Sequence, residues 1–105
     1  MKGIIDYLIS DNPNAAKLRE EFVFKIVPML NPDGVIHGNY RCSLSGCDLN
    51  RKWLSPSPVL HPEIFHFKNM ILNLLDSNKE ISFFCDLHGH SKKKNIFIYG
   101  CDDSE

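Results

Sequence analysis

Phe22-Val23-Phe24-Lys25-Ile26-Val27-Pro28-Met29 is the stretch on which the fold class turns. Its β-branched and aromatic side chains occupy both faces of an extended chain, which fits a nearly buried strand of an α/β sheet. Asn31-Pro32-Asp33-Gly34 then turns the chain sharply. Upstream, Ile4, Ile5, Leu8 and Ile9 fall at helical spacing within Met1 to Ser10, a helix that starts in mid-element without a cap. Ala15 to Glu21 is a short helix with Asn14 as its candidate cap. Downstream, Pro62 opens a helix to about Asp76, with Ile64, Phe65, Lys68, Ile71, Leu72 and Leu75 near one face. Glu80 to Leu87 is a second strong strand, running directly into His88-Gly89-His90-Ser91, and Asn95 to Tyr99 is a final strand. Helix, strand, long loop, helix, strand, strand is an α/β order.

The 105 residues allow one modest domain, short for an α/β enzyme that carries its own pocket and lid loops. A hydrophobic fraction of 43% is that of a globular chain. With 12 basic and 13 acidic residues the net charge is -1, which gives no broad field for nucleic acid or an anionic membrane. No apolar run approaches the roughly 18 residues of a membrane span, and Asp6 comes too early for a signal peptide's apolar region. Neither Cys42 with Cys47 nor Cys85 with Cys101 has the spacing of a thiolate zinc knuckle. Reduced thiols in a cytosolic protein are therefore expected, with Cys85 in the core.

Chemistry in an open α/β sheet collects beyond the carboxyl ends of strands. Two such ends carry distinctive residues here: one leads into Asn31-Pro32-Asp33-Gly34, the other into Asp86-Leu87-His88-Gly89-His90. A neutral imidazole at a strand end suits zinc when its second nitrogen has an acceptor. A hydrogen-bonded turn histidine explains His88 equally well, and His90 competes with it. In the polar loop of residues 35–60, Arg41, Asn50 and Arg51 are the candidates for binding an anion. Guanidinium groups grip carboxylates through paired donors and also steady a tetrahedral oxyanion. Each arginine taken singly is more often a solvated surface charge. His61-Pro62-Glu63 falls one residue short of a His-x-x-Glu metal pair, and Lys92-Lys93-Lys94 reads as a solvated turn.

Four strings together are specific. Phe24 to Val35, then Gly38-Asn39-Tyr40-Arg41-Cys42-Ser43-Leu44, then Asp48-Leu49-Asn50-Arg51, then Asp86-Leu87-His88-Gly89-His90-Ser91 resemble the cytosolic carboxypeptidases. These are the ATP/GTP-binding-protein-like branch of the zinc carboxypeptidases, and the resemblance runs from Met1 to Cys101. It implies a partial zinc-carboxypeptidase fold, with a mixed central sheet and flanking helices, and makes residues 1–105 a central piece of the catalytic domain. It also implies a metallocarboxypeptidase that removes glutamates from protein tails, tubulin among them, in the cytoplasm or on microtubules. Carried over by motif, His88 is the third Zn2+ ligand, Asn50 and Arg51 hold the terminal carboxylate, and Arg41 polarises the scissile carbonyl. Zinc-activated water would make the attack, with a carboxylate as general base.

Two departures qualify that expectation. The family's His-x-x-Glu zinc pair precedes the segment that starts here at Met1, and its general-base glutamate follows Glu105; no His-x-x-Glu occurs in this chain. A lone histidine does not retain catalytic zinc tightly. The alternative function is an inactive piece that keeps only a carboxylate-binding region. Folding points the same way: ordering costs about 1.5 kcal/mol per residue against about 25 cal/mol per Å² of apolar area, and two strong strands have few neighbours to cover them. No Gly-rich Lys-Ser/Thr phosphate loop is present, so nucleotide binding is not expected.

Overall fold

The computed structural model describes residues 1–100, and helices are the only regular structure in them. In chain order these are α1 (Lys2–Leu8), α2 (Pro13–Glu21), α3 (Pro32–His37), a 3-10 turn (Leu49–Arg51) and α4 (Pro62–Asp76). Cys101 and Glu105, both noted in the sequence, lie outside the described residues.

The expected α/β fold with a mixed central sheet is overturned. Phe22 to Met29, Glu80 to Leu87 and Asn95 to Tyr99 form no strand. Residues 23–30 and 80–100 make no backbone–backbone hydrogen bond to any described residue. A strand exists only by exchanging N–H and C=O bonds with a neighbour, and none lies alongside. Apolar residues on both faces state what a segment needs to be buried against. They do not supply it. Val23, Phe83, Ile96 and Ile98 are accordingly 85%, 82%, 98% and 89% exposed. Cys85, expected in the core, is exposed as well. The accessible surface is 9070 Å², against about 6,000 Å² for a compact chain of this mass.

The helices follow local rules closely. Asn12, rather than Asn14, caps α2: its side chain accepts from Asn14 N–H at 2.8 Å and Pro13 takes the first helical position. Asn31-Pro32-Asp33-Gly34, expected as a sharp turn, instead starts α3. Asn31 Oδ1 accepts from Gly34 N–H at 3.1 Å, and Asp33 sits in the positively polarised first turn. Gly38 ends the helix at φ 73°, where Asn39 N–H reaches Gly34 O at 2.8 Å and Gly38 N–H reaches Val35 O at 3.2 Å. That is a Schellman closure, and its left-handed residue favours glycine. Asparagine, proline and glycine serve turns and helix ends alike, which is why a six-residue helix passed for a turn.

Buried hydrophobic residues among those described are Leu8, Ala15, Leu49 and Ile64. Leu8 and Ala15 lie where α1 meets α2. Arg19 clasps the two helices, its Nη1 donating to Leu8 O and, at 3.2 Å, to Ser10 O. Both acceptors lie at the end of α1, where carbonyls lack helical partners. Helix α4 begins where the sequence places it, but only Ile64 of its expected apolar face is buried. Its other function is to hold the polar loop, and that loop contains the candidate site.

Candidate carboxylate site

Asn31 works at two levels. While its Oδ1 caps α3, its Nδ2 donates to the carbonyls of Arg41 at 3.4 Å and Cys42 at 3.3 Å. Asn39 Nδ2 adds a bond to Cys42 O at 3.0 Å. The helix thus fixes the backbone that presents Arg41. Cys42 and Cys47 are free thiols, and the loop between them is closed by Ser43 N–H to Cys47 O at 3.0 Å.

Asp48 gathers three of the expected site residues. Its carboxylate lies 3.6 Å from Arg41 Nη1 and accepts from Asn50 N–H at 3.0 Å. The second contact caps the 3-10 turn that carries Asn50 and Arg51. Arg51 Nη1 bonds Asn50 O at 3.3 Å, and among the described residues Arg51 forms no ion pair. Arg41, Asn50 and Arg51 are all exposed. Asp48, a half-buried carboxylate, thus links the Arg41 guanidinium to the backbone of the turn that carries Asn50 and Arg51.

Helix α4 supports the turn through Trp53. The indole packs edge-on against Phe67 with ring centroids 5.7 Å apart. Lys68 Nζ donates to the carbonyls of Trp53 at 2.8 Å and Leu54 at 2.9 Å. Trp53 Nε1–H in turn donates to Asn50 Oδ1 at 2.8 Å. Lys68, expected on the helix's apolar face, sends its ammonium to two loop carbonyls. Asp48 and Trp53 both stood inside or beside the recognised strings, yet their roles depend on contacts that no spacing announces. The one local signal was the aspartate two residues before Asn50, an Asx cap.

His88 stands apart from this group. Its Nδ1 lies 3.4 Å from Asp86 Oδ2, both side chains are well exposed, and no described contact joins it to Arg41, Asn50 or Arg51. Four residues before it, the ring of Phe84 packs against Phe67 of α4 with centroids 6.1 Å apart. His90 is committed to its own turn, its Nδ1 accepting from Lys92 N–H at 3.2 Å and Lys93 N–H at 2.9 Å, with the ring edge-on to Phe97. His61 is buried at the start of α4, where Nδ1 accepts from Ser57 N–H at 3.1 Å.

The donor set does not fit zinc. Among the described residues no three His, Cys, Asp or Glu side chains come together as a metal site. His88 with one aspartate falls short of the three protein ligands a catalytic zinc requires. The expectation that this chain is a working metallocarboxypeptidase removing glutamates through zinc-activated water is overturned by that finding and by the missing sheet. No described helix is long and apolar enough to cross a membrane.

Comparison with known proteins bears on what remains. The zinc carboxypeptidase family profile matches residues 1–104. Human cytosolic carboxypeptidase 1 is 60% identical over 105 residues, covering all of this chain and 9% of the relative. Human cytosolic carboxypeptidase 4 is 58% identical with the same 9% coverage. Bovine cytosolic carboxypeptidase 3 is 55% identical, with 10% of its length covered. The chain thus spans about a tenth of the length of these curated relatives.

Proposed function

The chain belongs to the zinc carboxypeptidases, and we propose that its 105 residues form a carboxylate-binding part of the family's catalytic domain that does not turn over substrate by itself. The observation that supports this reading is the Asp48-capped turn, which bears the exposed Asn50 and Arg51 and whose aspartate also pairs with Arg41. Arg51 supplies charge and a forked donor pair, and Asn50 a directional amide donor. Arg41, partly neutralised by Asp48, is the reserve cation that a second anionic group would engage. Those are the needs of a free peptide carboxylate next to an acidic side chain. Glutamate-ended or glutamylated protein tails, including those of tubulin, are the ligand class we propose, and the cytoplasm is the proposed setting. Support comes from the similarity to cytosolic carboxypeptidases and from the motifs that carry Arg41, Asn50 and Arg51.

His88 is proposed to contribute to zinc only when further ligands are supplied from outside these residues. The experiment is a titration of the 105-residue chain with zinc and, separately, with a glutamate-ended peptide and its C-terminal amide. The expected result is preference for the free carboxylate, with neither stoichiometric zinc nor sustained release of glutamate. Tight one-to-one zinc with continuing release would refute the inactive assignment. Equal affinity for the acid and the amide would refute the carboxylate assignment.

A further inference from the structure

An exposed asparagine is ordinarily ambivalent, because its amide presents an acceptor and a donor that exchange places by rotating half a turn. Asn50 is not free in this way. The indole nitrogen of Trp53 can only donate, so the Asn50 atom 2.8 Å from it must be the oxygen. With Oδ1 occupied, Nδ2 keeps both its hydrogens, and it makes no hydrogen bond to any other described residue. Trp53 is itself restrained at two further points, by Phe67 against its ring and by Lys68 on its carbonyl, both from α4. A rotation of the Asn50 amide would break the indole bond and set its NH2 group against the indole N–H. We infer that Trp53 is a positioning residue that determines specificity, locking Asn50 into a donor-only state so that the site takes an anionic acceptor and rejects a ligand offering N–H. This inference rests on the carboxylate function proposed above.

The consequence is chemical. A peptide α-carboxylate presents only lone pairs and accepts from Asn50 Nδ2 and Arg51 together. The corresponding α-amide must turn its NH2 toward a donor or give up one contact, and donor facing donor is unfavourable. Without the indole bond, Asn50 rotates and accepts from the amide, so discrimination falls more than affinity.

Nuclear magnetic resonance titration of the whole 105-residue chain tests this, using a short acetylated alanine-ended peptide with a free carboxylate and the same peptide amidated. Trp53→Phe keeps the edge-on packing but removes the N–H. It is expected to narrow the acid-over-amide preference by about fivefold, the weight of one ordinary hydrogen bond, and to shift the Asn50 side-chain amide protons before ligand is added. Should Trp53→Phe disturb the loop, Asn50→Asp provides an independent arm. It keeps the indole's acceptor but removes the donor, and is expected to leave the indole N–H resonance in its hydrogen-bonded position while abolishing carboxylate binding. An unchanged preference and unmoved Asn50 protons in Trp53→Phe, or full carboxylate affinity in Asn50→Asp, overturn the role of Trp53 while leaving the carboxylate function standing. A wild-type chain that does not prefer the acid overturns that function, and the role of Trp53 with it.

Discussion

Asp48 faces Arg41 at 3.6 Å while the same carboxylate caps the turn that bears Asn50. One acid thereby holds the candidate site together and also competes with any anion that enters it. Replacing it separates the two effects. Asp48→Asn keeps a capping oxygen but removes the charge, so carboxylate affinity should rise by about two- to fivefold, in line with about 0.4–1 kcal/mol for an exposed pair. Asp48→Ala loses the cap as well, and the turn should loosen by about 1 kcal/mol. Peptide titration and hydrogen exchange at the Asn50 amide distinguish these outcomes.

Gly34 is closed against Asn31. A Cβ built at Gly34 would lie 2.2 Å from Asn31 Nδ2 and 2.7 Å from its Cγ. Alanine is a better helix former than glycine by about 1 kcal/mol. Here that gain is expected to be offset, because the methyl group displaces the capping side chain, which is worth about as much. Gly34→Ala should therefore add no helicity, measured by circular dichroism. It should also speed amide exchange around residues 41–42, since Asn31 would release the Arg41 and Cys42 carbonyls.

Gly38 tests the other end of α3. Its φ of 73° is uncomfortable for any residue with a Cβ, although nothing lies within 4 Å of the added atom. Gly38→Ala should thus destabilise α3 by about 1 kcal/mol through backbone strain alone, and Gly38→Asn by less. Faster exchange of the Asn39 amide, which closes the helix on Gly34 O, is the readout.

Arg19 joins α1 to α2 through the carbonyls of Leu8 and Ser10. Arg19→Met keeps much of the side chain's bulk but leaves those acceptors to water. Removing charged hydrogen bonds of this kind costs about 1.5–3 kcal/mol where they are buried, and less at this partly exposed end. The α1 amides should exchange almost freely in the variant, while α4 is unaffected. Equal protection of α1 in both proteins would assign the helix pairing to Leu8 and Ala15 alone.

Ile96 and Ile98 expose nearly all of their surface within an unpaired segment. Unpaired apolar segments of high β-propensity associate with one another, and a net charge of -1 offers little repulsion. The chain should bind a hydrophobic dye and self-associate as its concentration rises. Ile96→Lys with Ile98→Lys should suppress both without loss of helical signal, as followed by light scattering and circular dichroism.

Several features were legible in the residues themselves. Pro62 marks the start of α4, and the motifs around Arg41, Asn50, Arg51 and His88 lead to the family that the comparison confirms. The first turn of α3 is not separable from a simple turn by sequence, because Asn31, Pro32 and Gly34 have the same local preferences in a turn and in a capped helix. Asp48 and Trp53 were visible as residues but not as partners, since their hydrogen bonds form only once the loop is folded back on α4.

What the sequence determined by itself is local and chemical: helix starts and caps, the family, and side chains able to bind a carboxylate. Those depend on neighbours a few residues away or on identity alone. The tertiary structure decided whether the apolar runs become strands, and which candidate residues meet. A strand needs another strand for its backbone groups, and residues 22–29 and 80–87 find none among the described residues, so burial demand never becomes a sheet. Asp48 ties Arg41 to the turn bearing Asn50 and Arg51, and α4 braces that turn through Trp53, whereas among the described residues His88 has no contact with them.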